Sequence, residues 1–137
     1  MSRPDLALLA AALHGLAAVG LGAIAAHALQ LDGRELSWWN KAVFYQAMHA
    51  LPLLALARQP LAGRWQPLVT GCMATGALLF SGSLYGLALT HHRALVWLTP
   101  AGGLLMLAGW CLLAIYALTH PAHGDCRTSH VSSKEKR

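Results

Sequence analysis

Residues Leu6–Leu31 read LALLAAALHGLAAVGLGAIAAHALQL, 26 positions without one Asp, Glu, Lys or Arg. A helix crossing the hydrocarbon core of a bilayer needs about 20 predominantly apolar residues, so this stretch is long enough to cross. Arg3 ahead of it and the small-residue strings Ala23-Ile24-Ala25 and Ala26-His27-Ala28 imitate a secretory leader. The apolar part of a leader runs only roughly 7–15 residues, so the length favours a spanning helix. Working outward, three more uncharged stretches follow: Ala42–Ala57 (16 residues), Trp65–His92 (28) and Ala94–Gly124 (31), which with the first hold 101 of 137 residues.

The whole chain is 56% hydrophobic and 11% charged, against roughly 45–50% and about 25% in soluble domains. Together these predict an all-α fold, an integral membrane bundle of four transmembrane helices. They exclude a soluble enzyme, a nucleic-acid-binding domain and a disordered chain. The formal charge of +5 does not restore a nucleic-acid partner, because Arg127, Lys134, Lys136 and Arg137 cluster at the end and the other basic residues stand singly between apolar runs. That distribution fits topology signals and contact with anionic membrane lipids. With four spans, the start, the second connection and the tail carry 7 Lys and Arg against 3 on the other side. The expected orientation therefore puts both termini in the cytoplasm.

The helices are expected over about 5–29, 38–57, 67–90 and 97–119, forming one transmembrane domain (1–119), with 120–137 a polar, basic, disordered tail. Ser37 has the chemistry of an N-cap for the second helix, and Trp38, Trp39 and Lys41 read as interfacial anchors. Pro52 predicts a kink near His49, and Thr99-Pro100 has the pattern of a helix start. Gly22, Gly82, Gly86, Gly102, Gly103 and Gly109 are the expected points of close helix packing, the small side of a helix being where backbones approach.

Ionisable and polar groups inside a membrane are the usual markers of function. Counting from the expected helix ends places His27, His49, Tyr85, Ser81, Ser83 and Thr99 in the outer half of the bilayer. Tyr45, Gln46 and His49 share a face by their i+3 and i+4 spacing. His14 lies about 140° round the helix from His27 and falls outside this cluster. The leading explanation of the cluster is an interhelical hydrogen-bond network that sets packing. A transport or proton-conducting site is the rival, and two membrane histidines could also ligate a haem or metal ion. Catalysis is not expected: no carboxylate lies within a span, and Ser81 lacks the G-x-S-x-G context of a nucleophile elbow. Cys72 and Cys111 read as small hydrophobes. The tail carries His120, His123, Cys126 and His130, ligand types that suit zinc or copper in a spacing that matches no zinc finger. A solvated tail is the simpler reading, and no cofactor is expected.

These residues carry a resemblance. Gly22-Ala23-Ile24-Ala25-Ala26-His27-Ala28-Leu29, Tyr45-Gln46 with His49-Ala50-Leu51, Phe80-Ser81-Gly82-Ser83-Leu84-Tyr85, and Thr99-Pro100-Ala101-Gly102-Gly103 followed by Gly109-Trp110 occur in matching order. On them the chain resembles the YgdD-like family of small multi-spanning membrane proteins, a domain of unknown function with a small eukaryotic transmembrane relative. Ala25 departs from the glycine common there, and the His/Cys tail lies outside the resembling region. The resemblance implies a multi-pass protein of the bacterial inner membrane and supplies no reaction. The expectation is a non-enzymatic structural or accessory membrane component, partnered by lipids and by other membrane proteins or further copies of itself.

Overall fold

The computed structural model describes residues 5–120. Four helices account for nearly all of it: α1 (Leu6–His27), α2 (Gly33–Arg58), α3 (Trp65–Thr90) and α4 (Leu95–Thr119). The expected tail residues His123, Cys126 and His130 lie outside the described residues.

Each helix begins and ends for a local reason. The Asp5 carboxylate accepts the free N–H groups of Ala7 and Leu8 and caps α1. At α2 the cap is Asp32, whose carboxylate accepts from Arg34 and Glu35 while the Glu35 carboxylate takes the Asp32 N–H, a reciprocal capping box. This corrects the expected start at Ser37: the helix begins five positions before the expected residue 38, and Ser37 lies inside it. The α2–α3 connection turns at Gly63 with φ +55°. It is pinned by Gln66, which accepts from the Leu61 N–H and donates to the Leu56 carbonyl. Helix α3 ends where His91 takes the left-handed conformation. Helix α4 opens with short-range bonds from Leu95, Val96 and Trp97 back to His92, Arg93 and Ala94. Thr99-Pro100 is therefore inside α4 and not its start. In lipid every backbone group must find an internal partner, which draws the apolar residues before Pro100 into the helix.

Neighbouring helices run antiparallel. One buried cluster joins Ala7 and Ala11 of α1, Leu53 and Leu56 of α2, and Val69 and Met73 of α3, with Leu112 and Leu113 of α4 packed against it. A second, toward the other end, joins Trp39 and Ala42 of α2 with Leu84, Tyr85 and Ala88 of α3, backed by Leu21 and Ala25 of α1. Helix α3 is central, lying against both α2 and α4, whereas α1 packs mainly on α2. Trp39, expected as an interfacial anchor, is instead core: it is 2% exposed, its indole N–H donates to the Leu21 carbonyl at 2.9 Å, and its ring meets Tyr85 edge-on.

Helices α3 and α4 touch backbone to backbone. A Cβ on Gly102 would stand 2.4 Å from the Phe80 nitrogen, one on Gly76 2.7 Å from the Met106 nitrogen, and one on Gly109 2.7 Å from the Met73 side chain. Gly102 and Gly109 thus sit in the contact, together with Gly76, which sequence reading passed over. The other expected packing glycines are placed differently. A Cβ on Gly22 would stand 3.6 Å from Val43 and one on Gly103 3.9 Å from the Phe80 ring, one on Gly86 would meet the flexible tip of Leu95, and one on Gly82 would face open space.

Helices α1, α3 and α4 are each long and apolar enough to cross a bilayer. Helix α2 is less apolar, yet its ends join the far end of α1 to the near end of α3, so it crosses between them. Its buried residues Trp39, Ala42, Gln46, His49, Leu53 and Leu56 recur at alternating steps of three and four, one continuous seam toward the bundle.

Candidate functional site

His14, Gln46, His49, Thr70, Ser81 and Ser83 are all buried. Along α2, Gln46 and His49 stand between the two apolar clusters, whereas Ser81 and Ser83 lie level with the second cluster and Thr70 with the first. The α2 seam presents Gln46 and His49 to the bundle because they continue its three–four spacing. Helix α3 presents Ser81 and Tyr85 because they lie one turn apart on the side toward α2.

Most of these groups are spent on one another or on backbone. The Tyr85 hydroxyl donates to Gln46 Oε1 at 3.0 Å, joining α3 to α2. Ser81 Oγ donates to the Ala42 carbonyl at 2.9 Å across the same interface. Ser83 Oγ and Thr99 Oγ1 lie 2.7 Å apart, joining α3 to α4, and Thr99 also reaches the Leu95 carbonyl in its own helix. Tyr45 packs its ring on Phe80, centroids 4.7 Å apart.

His49 is 1% exposed. Its Nδ1 lies 2.9 Å from the Tyr45 carbonyl, and its Nε2 lies 3.3 Å from the Trp110 indole nitrogen of α4. A carbonyl only accepts and an indole N–H only donates, so the two contacts fix one tautomer: the proton sits on Nδ1, and the Nε2 lone pair faces Trp110. His49 stands nine residues from Arg58 and sixteen from Gly33. It is thus beyond the middle of α2, not in the half of the bundle where it was expected.

The partner histidine also differs from expectation. His27 is the last residue of α1 and is exposed, away from the buried polar groups. His14 is buried instead: it shares the buried face of α1 with Ala7, Ala11 and Ala18. The Ala74 carbonyl lies 3.1 Å from His14 Nε2 and receives its proton. Among the described residues, nothing hydrogen-bonds the buried His14 Nδ1 or the buried Thr70 hydroxyl. His14 keeps the spacing of Ala7, Ala11 and Ala18, but α1 has alanines on every side, so only its packing reveals that this is the buried face. Trp110 gave no signal either, since α4 is apolar all round.

Among the described residues, no group of three His, Cys, Asp or Glu gathers as a metal site. His120, first of the tail ligand set, stacks on Tyr116 at 4.3 Å, and its Nδ1 pairs with Thr119 Oγ1. The described carboxylates stand at helix starts: Asp5, Asp32 and Glu35, the last also paired with His91. Among the described residues, the chemistry available to the buried polar groups is thus hydrogen bonding, with imidazole as the one basic side chain.

Residues 21–103 match the family model described as a protein of unknown function (DUF423). A UPF0382 membrane protein of Haemophilus influenzae is 43% identical over 106 residues, covering 75% of this chain and 86% of that protein. The UPF0382 inner membrane protein YgdD of Escherichia coli is 41% identical over 115 residues, covering 81% and 88%. A UPF0382 membrane protein of Schizosaccharomyces pombe is 42% identical over 116 residues, covering 77% and 95%. No solved structure matches.

Proposed function

We propose that this chain, which belongs to the DUF423 family of membrane proteins of unknown function, is a non-enzymatic accessory component of the inner membrane whose interior polar residues serve as ties between helices. The observation carrying this reading is that Tyr85–Gln46, Ser81–Ala42, Ser83–Thr99 and Trp39–Leu21 each spend a polar side chain on a bond between two helices. Interhelical bonds in membranes contribute about 0.6 kcal/mol on average, so such a set defines geometry more than it adds stability. The outward faces of α1 and α4 are rich in Leu, with Leu13, Leu16, Leu104 and Leu107 exposed. They meet lipid, other membrane proteins or a second copy. Both termini lie in the cytoplasm in this reading, following the Lys and Arg distribution.

A second reading, a proton-conducting or small transport element, is favoured by the His14 Nδ1 and Thr70 hydroxyl, left without a partner among the described residues. Reconstitution separates the two. Liposomes loaded with a pH-sensitive dye and carrying the purified protein are expected to leak protons no faster than protein-free liposomes after a pH jump. A wild-type leak abolished by His14→Ala or His49→Ala, in variants that remain folded, would overturn the accessory role in favour of conduction.

A further inference from the structure

The first half of α2 carries a face that no other element covers among the described residues. Gly33, Leu36, Ser37, Asn40, Lys41 and Phe44 line an open groove of about 490 Å³ along it. Their steps of three and four put them on one side of the helix, away from the buried Trp39, Ala42 and Gln46. The depth of this groove follows from the bonds to neighbouring helices. Ser81 bonds the carbonyl of Ala42, next to Lys41, and stands nine residues before the end of α3. At 1.5 Å per residue, Lys41 leaves the helix about 13 Å below the rim of the bundle.

An ammonium at that depth on a lipid-facing side is costly where it stands. Its stem can lie along the helix and carry the charge toward the headgroups. Ser37 and Asn40 line that upward path, and Phe44, 61% exposed, lies one turn deeper. The nearby carboxylates are already engaged: Asp32 caps the helix, and Glu35 is held by the Asp32 N–H and by His91. Among the described residues no carboxylate forms an ion pair with Lys41.

The geometry points to a lipid-binding site on this face: an anionic glycerophospholipid whose phosphate is held by the Lys41 ammonium with Ser37 Oγ and the Asn40 amide, and whose acyl chain lies on Phe44. Charge complementarity selects this occupant. The groove offers one cation and neutral donors above an aromatic surface, which matches a phosphate followed by a hydrocarbon chain.

Native mass spectrometry of the full chain, released from nanodiscs of phosphatidylcholine and phosphatidylglycerol in equal amounts, tests this. The wild type should retain phosphatidylglycerol in preference to phosphatidylcholine. Lys41→Ala should lower retained phosphatidylglycerol about fivefold, the scale of one basic residue at a membrane surface. Lys41→Arg and Arg93→Ala, the latter a cation at the same end of the bundle but off this face, should retain it. Lys41→Gln, which keeps a long side chain without the charge, is measured alongside, with helix content checked for each variant. Equal retention of the two lipids by the wild type overturns the site. Unchanged retention by both uncharged variants, or an equal loss in Arg93→Ala, does the same. An outcome in which Lys41 instead crosslinks to an acidic residue of another protein, with no lipid retained, assigns the face to a protein partner and also overturns it.

Discussion

A single methyl group decides whether α3 and α4 can meet. At Gly102 it would lie 2.4 Å from the Phe80 backbone nitrogen and 2.9 Å from the Gly76 carbonyl, and backbone cannot swing aside as a flexible side chain can. Gly102→Ala should therefore destabilise the protein by about 1–3 kcal/mol, the usual scale of overpacking. Gly82→Ala, whose Cβ meets nothing within 4 Å, should leave thermal unfolding in detergent unchanged. Equal melting of the two variants would contradict the backbone contact. This is also where sequence reading had its limits. Gly102 and Gly109 stand seven apart and declare a shared face, whereas Gly76 has no glycine three or four positions away and is recognisable only once α4 lies against it. His27 and His14 show the same limit. Both are histidines on one evenly apolar helix, and only the packing of α1 against its neighbours determines which is buried.

At the scale of the element, the start of α2 was written in Asp32-Gly33-Arg34-Glu35, the spacing of a capping box, but the apolar run that draws attention to a helix begins later. Asp32→Ala removes the carboxylate that accepts from Arg34 and Glu35 and should cost about 1 kcal/mol. Ser37→Ala should cost almost nothing, because that residue is already within the helix. A comparison of their melting temperatures checks the assignment, and a larger loss at Ser37 would refute it. Helix α4 misled in the opposite sense. Thr99-Pro100 has the chemistry of a start, but the Thr99 hydroxyl is committed to Ser83 and Leu95, and the residues before it are apolar enough to be drawn into the helix. Gln46 and His49 were legible as one face because α2 alternates polar and apolar sides. Their depth was not, because it depends on where the helix begins.

For the whole molecule, the uncharged runs made the number of helices and the membrane setting legible, since only a helix satisfies its own backbone in lipid. The antiparallel order predicts that reporters inserted after Gln30 and after His92 face one side of the membrane, and that one after Arg58 faces the other. A split between the first two would break the order α1–α2–α3–α4. What composition could not reveal is how α1 and α4 turn around their axes, because each is apolar on every side. The buried polar groups, by contrast, are held by mutual bonds, and these are open to direct measurement. A double-mutant cycle on global unfolding with Gln46→Leu, Tyr85→Phe and the combined variant isolates the bond between α2 and α3. If interior polar residues tie the helices together, the two changes couple by about 0.6 kcal/mol and by no more than about 1.7 kcal/mol. Purely additive effects at positions 46 and 85 would contradict it.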